Sequence, residues 1–303
     1  MLAAADWSPM SPTVALETGE EIAYRTREGG DVPVVLLHGN MSSSIHWDVV
    51  FEAMDERFAL YALDLRGFGD SSYENPVDSL AGFAADVPAF ADAMGLEEFT
   101  LWGWSLGAGV AMQTAADVPD RIERLVLMSP PGTQGLPVYR KDENLQPTDE
   151  VLTTREELAE DPVAVAPALA ALEAGDAETM KEIWRQAIFV HGPPAEERFD
   201  AYIAETLKQR NLLDADYALV HFNISTADNS IEPGTGEVEQ ITAPTLVLRG
   251  EDDLVVTRAM SEQVTAEIDD ARFVPLEGCG HDPMVDDIDG VLAEVEPFLD
   301  PGT

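Results

Sequence analysis

Several short stretches of this chain are apolar almost without interruption: "VPVVLL" from Val32, "FALYAL" from Phe58, "FTLW" from Phe99, "LVLM" from Leu125 and "TLVL" from Thr245. A strand with one wet face alternates apolar and polar side chains. Unbroken runs predict strands covered on both faces, as in a parallel sheet between helices. Between these runs the period changes. Leu80, Phe83, Val87, Phe90 and Met94 share one helical face, which predicts a helix over Leu80–Met94. "LGAGVAMQTAAD", from Leu106, predicts another, stopped before Pro119. Ahead of the first buried run, "TVALETGEEIAYRT" alternates on either side of Gly19 and predicts a β-hairpin.

From Pro131 to Gln240 that rhythm stops. "AETMKEIWRQAIF" and "EERFDAYIAETLKQR" are helix-like, and no stretch there has the character of a buried strand. The strand–helix pattern resumes with "APTLVLRG", a helix over Arg258–Ile268, "ARFVPLEG" and a last helix ending at Leu299. The fold class expected is α/β, a mostly parallel central sheet flanked by helices, with an inserted helical cap. Residues 1–130 and 241–303 form the two parts of the core and 131–240 the cap. Trp184, Phe189, Phe199, Tyr202, Tyr217 and Phe222 in the insertion either line an apolar pocket or form the cap's own core.

Charge changes the picture. The chain of 303 residues carries 58 acidic side chains against 17 basic ones, a net charge of -41. Such an excess drives a compact state apart unless salt screens it, and in molar salt the screening length falls to about 3 Å. The acids are spread along the whole chain, which points to adaptation to a salt-filled cytoplasm, as in a halophile. Nucleic acid and anionic membranes are repelled and are not expected as partners. The single cysteine, Cys279, allows no intrachain disulfide and fits a reducing interior. "MLAAADWSPMSPT" has no basic leader, twin arginine or apolar core of an export signal. A cytoplasmic location is expected.

The chemistry centres on "FTLWGWSLGAGVAM". Gly103, Trp104, Ser105, Leu106 and Gly107 spell G-x-S-x-G between a strand and a helix, the setting of a nucleophile elbow. There the serine is held in a strained turn, so its neighbours must be small, and Gly109 is expected to let the helix pack close to the sheet. From the motif alone Ser105 is either a nucleophile or a helix cap. A nucleophile needs a base and the base an orienting acid, both downstream. "LVLRGEDDLVV" offers Asp252 and Asp253, and "LEGCGHDPM" offers His281, each in a loop after a strand. Cys279, two residues from His281, is a small residue packing its loop. His46, His191 and His221 have no ligand-like spacing, no metal loop is apparent, and no glycine run has phosphate-loop spacing. Neither metal nor cofactor is expected.

"LLHGN", "DLRGFGDSS", "GWSLGAG", "LVLRGEDDLV" and "GCGHDPM" resemble the landmark motifs of the α/β-hydrolase superfamily, in their usual order. The resemblance covers nearly the whole chain and is weakest in the insertion. It implies Ser105 as nucleophile, His281 as base and Asp253 as acid, because the family places its acid third after the strand-ending glycine, here Gly250. It also implies an oxyanion hole of backbone N–H groups, from Leu106 and from Asn40, with Met41 the alternative if the loop is displaced by one residue. His38 is expected to brace that loop. Haloalkane dehalogenases share an asparagine at the position of Asn40, but use an aspartate nucleophile followed by a tryptophan. Ser105 and Leu106 stand there in this chain.

The resemblance implies a cofactor-free hydrolase of small-molecule carboxylic esters or related acyl compounds. The long insertion suggests a moderately large acyl group. "HGNMSSSIHWD" and "LDLRGFGDSSY" are also similar to stretches of intracellular bacterial polyhydroxybutyrate depolymerases, which implies a hydroxyalkanoate ester. A carbon–carbon bond hydrolase and a perhydrolase use the same three residues. A hydrolase-fold ligand receptor is the reading from a different class.

Overall fold

The structure, a computed structural model, describes residues 11–300. The expectation about the first ten residues lies outside them. In chain order the strands are β1 (Thr13–Ala15), β2 (Glu21–Arg27), β3 (Val32–Leu37), β4 (Phe58–Leu63), β5 (Phe99–Trp104) and β6 (Ile122–Met128). They are followed by β7 (Tyr139–Lys141), β8 (Pro147–Val151), β9 (Thr245–Gly250) and β10 (Ala271–Leu276). Eight of them make one sheet in the order β1-β2-β4-β3-β5-β6-β9-β10. The β1–β2 and β2–β4 pairs are antiparallel, and every later pair is parallel. This is the mostly parallel α/β sheet that the apolar runs predict, with the hairpin turning at Gly19 (φ 89°).

Successive side chains of a strand point to opposite faces, and in the central strands both faces are dry. Val35, Leu37, Leu101, Leu125 and Val247 join a core under the Leu80–Ala84, Asp86–Met94, Leu106–Asp117 and Arg258–Glu267 helices. Val34, Leu36, Trp102, Val126 and Leu248 join a second core under the Asp48–Ala53 and Ile288–Leu299 helices. Each side chain so buried contributes about 1.5–3 kcal/mol, which is why the runs carry no polar interruption.

Two details depart from the sequence pattern. The expected Leu80–Met94 helix is two helices, Leu80–Ala84 and Asp86–Met94, joined at Ala85. Pro88 lies in the first turn of the second helix, where its missing N–H is tolerated; in one continuous helix it would break the bond to Ala84. The segment between β6 and β9 holds five α-helices, from Arg155–Ala159 to Leu212–Val220, and a short 3-10 helix at Glu237–Gln240. It also holds the hairpin β7–β8, which the sequence did not signal because its residues are mostly exposed. Trp184, Phe189, Phe199 and Tyr202 are buried and pack on one another and on the second core, and Phe222 is buried in the first. Tyr217 packs on His221 with ring centroids 4.1 Å apart and planes tilted by 30°. Five of these six aromatics are core, and Tyr217 is half-buried at its edge.

Candidate active site

Ser105 follows β5 at φ 53°, ψ -119°, a left-handed backbone conformation that strains a residue with a side chain. What holds it there is close approach on both sides. A Cβ on Gly103 would lie 2.2 Å from Gly107 O, and one on Gly107 only 2.1 Å from Leu37 O at the end of β3. Gly107, not Gly109, is therefore the glycine that lets the helix crowd the sheet. A Cβ on Gly109 would meet the side chains of Leu80 and Pro131 instead, so the expectation for Gly109 is corrected. The turn lifts the serine hydroxyl clear of the strand, beside the first N–H groups of the Leu106–Asp117 helix.

The loops after β9 and β10 arrive at the same edge. His281 Nε2 lies 2.9 Å from Ser105 Oγ, and His281 Nδ1 lies 2.9 Å from Asp253 Oδ2. Asp253 Oδ1 accepts the N–H groups of Val255 (2.8 Å) and Val256 (3.0 Å), so the carboxylate cannot swing away. Burial pushes its pKa up, but the His281 ring and the two N–H groups outweigh that and hold it below the ordinary aspartate value. An ionised Asp253 accepts from Nδ1–H, which leaves Nε2 free to accept the serine proton. Asp252, the other member of the pair, is exposed and bonds His191 at 3.0 Å.

A third group fixes the histidine loop. Trp104 Nε1–H donates to the backbone carbonyl of His281 at 2.8 Å, a buried bond between the residue before the serine and the base. Nothing in the sequence announces it. The neighbouring Asp282 is fully buried, with one oxygen accepting from Met284 N–H and the other without a partner. Burial, then the nearby Asp286, pushes its carboxyl up to about 8, so it holds a proton at neutral pH. Behind Trp104, buried His46 stacks on Tyr202 (4.3 Å) and Trp184 (5.1 Å), and its pKa is pushed well down by that burial. Tyr202 bonds Asp48, which Arg198 also holds at 2.7 Å.

On the other side of the serine lies the loop after β3. A Cβ on Gly39 would touch Ser105 Cβ at 3.1 Å, so this loop passes close against the serine. His38 accepts Leu65 N–H at Nε2 (3.0 Å) and lies 2.8 Å from Gly39 O through Nδ1, tying two loops together. Burial holds its pKa at about 4, so it is neutral. Met41 N–H donates to Asn40 Oδ1 at 3.0 Å and is thereby occupied. The remaining candidates keep apart from this chemistry. Cys279 is buried, its thiol pushed up to about 11 by burial and nearby acids. His221 is held by Glu232 (2.6 Å) and Thr153 O (2.8 Å).

A doubly covered parallel sheet with a strained serine at a strand end and an imidazole and carboxylate in the loops of two later strands is the frame of a hydrolase. The chain belongs to the alpha/beta hydrolase fold family, whose model matches residues 32–288. N-formylmaleamate deformylase of Pseudomonas putida is 41% identical over 99 residues, covering 32% of this chain and 37% of that protein. The match thus spans little more than a third of that relative. A pimeloyl-acyl-carrier-protein methyl ester esterase of Nitrosomonas europaea is 26% identical over 261 residues, 85% of this chain and 91% of that one. Among solved structures, a hydrolase from Pseudomonas aeruginosa PA01 superposes with a TM-score of 0.73 at 24% identity, over 96% of this chain and 98% of that one. That likeness speaks for the fold. Among the described residues no helix is long and apolar enough to cross a membrane.

Proposed function

We propose that the protein is a serine hydrolase that cleaves a small-molecule carboxylic ester, or a related acyl compound, through an acyl-enzyme. Ser105 is the nucleophile, His281 the base and Asp253 the acid that holds the base. The observation that carries this reading is the unbroken chain from Ser105 Oγ through His281 to Asp253, with both links at 2.9 Å.

His281 takes the serine proton at Nε2 as Oγ attacks the substrate carbonyl carbon, and Asp253 stabilises the imidazolium that results. The carbonyl oxygen becomes an oxyanion, held by the N–H groups of Leu106 and Asn40. Asn40 is preferred to Met41 because the Met41 N–H is already taken by Asn40 Oδ1. Each such donor is worth ~3 kcal/mol at the tetrahedral intermediate. His281 then protonates the leaving alkoxide, the ester C–O bond breaks and the alcohol departs. Water gives a proton to His281 and attacks the acyl-enzyme; the acid leaves and Ser105 regains its hydrogen. The esterase and the deformylase among the relatives both carry names of acyl chemistry, which supports an acyl substrate here.

Residues 131–240 serve as a cap over the site, between core parts 1–130 and 241–303. Its ties to the segments after β3 and β4 support this, among them Arg198 to Asp48, Lys208 to Asp70 and Asn211 to Arg66 O. Of the described acidic residues only Glu20, Asp48, Asp64, Asp86, Asp161, Asp253 and Asp282 are buried. The other described acidic residues are half-buried or exposed, which fits a cytoplasm rich in salt. A fluorophosphonate probe tests the mechanism: mass spectrometry finds the adduct on Ser105, and Ser105→Ala loses both labelling and p-nitrophenyl ester turnover. An adduct elsewhere, or retained turnover in Ser105→Ala, overturns it.

A further inference from the structure

Asn40 stands where cap and core meet, and its side chain is engaged at both ends. Oδ1 accepts from Met41 N–H at 3.0 Å and from Gln209 Nε2 at 2.8 Å. Nδ2 donates to Asp216 Oδ1 at 2.8 Å. Both partners belong to the cap: Gln209 follows the Glu196–Thr206 helix, and Asp216 lies in the Leu212–Val220 helix. Gln209 is fixed in turn, since its Nε2 also donates to Asn211 Oδ1 (3.1 Å) while Asn211 Nδ2 donates to Arg66 O in the core (2.9 Å). Thr206 Oγ1 adds a third tie by donating to Met41 O at 2.6 Å.

These bonds act on a strained piece of chain. Met41 has a φ of 56°, unfavourable for a residue with a side chain by about 1–2 kcal/mol. The Asn40 carbonyl oxygen on the side chain holds that conformation by accepting the Met41 N–H, and it is itself oriented by Gln209 and Asp216. The same residue presents the backbone N–H assigned to the oxyanion. A backbone donor works through its direction, and its neighbours along the chain set that direction.

We propose that Gln209 and Asp216 are positioning residues: through the Asn40 side chain they aim the Asn40 N–H at the oxyanion, so that the hole is complete only while the cap is seated. This rests on the acyl-transfer mechanism above. Neither residue touches the reacting atoms. Asp216 needs only an acceptor oxygen for the task, and its Oδ1 accepts whether the carboxyl is charged or neutral.

An oxyanion donor is engaged in the transition state, so its misalignment lowers kcat and leaves KM nearly unchanged. Complete loss of one donor costs about 10²–10³ in kcat, and tilting it costs part of that. Asp216→Ala and Gln209→Glu (which puts an acceptor against Asn40 Oδ1) are each expected to reduce kcat by about 10–100-fold, with KM changed by less than about threefold. Asp216→Asn restores the acceptor and is expected to stay within about threefold of the parent. A trifluoromethyl ketone, which adds Ser105 to form a tetrahedral oxyanion, loses affinity in step with kcat in Asp216→Ala and not in Asp216→Asn. Thermal unfolding is followed in parallel, and if Asp216→Ala does not fold, Gln209→Glu decides.

A raised KM with unchanged kcat makes Asp216 a substrate-binding group and overturns the proposal. So does an Asp216→Asn variant as impaired as Asp216→Ala, or a parental kcat in Gln209→Glu. If instead Ser105→Ala keeps its turnover, the acyl-transfer mechanism itself has failed, an outcome separate from these.

Discussion

Replacing one oxygen of Asp253 by nitrogen separates orientation from charge at the base. In Asp253→Asn the amide oxygen can sit at either end. At the Oδ1 position two backbone donors wait, Val255 N–H at 2.8 Å and Val256 N–H at 3.0 Å. At the Oδ2 position stands His281 Nδ1, 2.9 Å away. Turning the amide NH₂ toward the two backbone groups leaves both without an acceptor, at about 1–3 kcal/mol each. The oxygen therefore stays with the backbone, favoured by about 2–6 kcal/mol, or roughly 30-fold to 10⁴-fold. The NH₂ then donates to Nδ1, which forces the ring hydrogen onto Nε2 and removes the acceptor that Ser105 needs. The expected result is a kcat lower by about 10²–10⁴-fold with an almost unchanged fold, since the two backbone bonds survive. Steady-state turnover of a p-nitrophenyl ester gives the rate, fluorophosphonate labelling reports the nucleophilicity of Ser105, and thermal unfolding checks the structure. A folded Asp253→Asn protein within threefold of the parent in both rate assays would falsify the tautomer account.

The same contacts give three more expectations. Gly107→Ala places a Cβ 2.1 Å from Leu37 O and 2.5 Å from His38 O, backbone atoms that cannot yield, so no natively folded protein is recovered; a cooperative unfolding transition at the parental temperature refutes this. Asp282 has its folded pKa raised to about 8, above an unfolded value of about 3.9, so its contribution to stability is fully present below pH ~4 and is lost as pH rises through about 8. Asp282→Asn accordingly flattens the fall in Tm between pH 5 and 9, and an equal slope in both proteins rules the buried proton out. Dialysis from molar salt to about 0.1 M lengthens the screening distance from about 3 to about 10 Å and is expected to unfold a chain of charge -41, followed by circular dichroism; full activity retained at low salt rejects the salt requirement.

Much of this molecule is legible in its residues, and the reason is burial. β5 and β9 are fully buried along their length, so their sequences carry a continuous apolar signal. β7 and β8 are mostly exposed and carry no such signal. The break at Ala85 was legible only through Pro88, because the apolar face runs on across it. At the site the elbow and its order of partners are written in motifs. The choice of Asp253 over Asp252 rests on the family's spacing from Gly250, since the residues alone offer both; the fold turns Asp253 to His281 and Asp252 to His191. Bonds such as Trp104 to His281 O or Asn40 to Asp216 join positions 177 and 176 apart. No periodicity or spacing encodes contacts of that range, so they appear only once strands and cap are in place.

The order of the strands has a consequence during synthesis. β5 and β6 can pair early, but β9 docks on the outer flank of β6 and β10 on the outer flank of β9. Ser105 and His281 are 176 positions apart, so a nascent polypeptide displays its hydroxyl long before the imidazole that bonds it has been translated. On the proposed mechanism the unfinished chain lacks its base and acid, and reactivity arrives only with the last two ribbons of the sheet. Clipping the far C-terminal edge would silence the molecule while leaving its elbow intact.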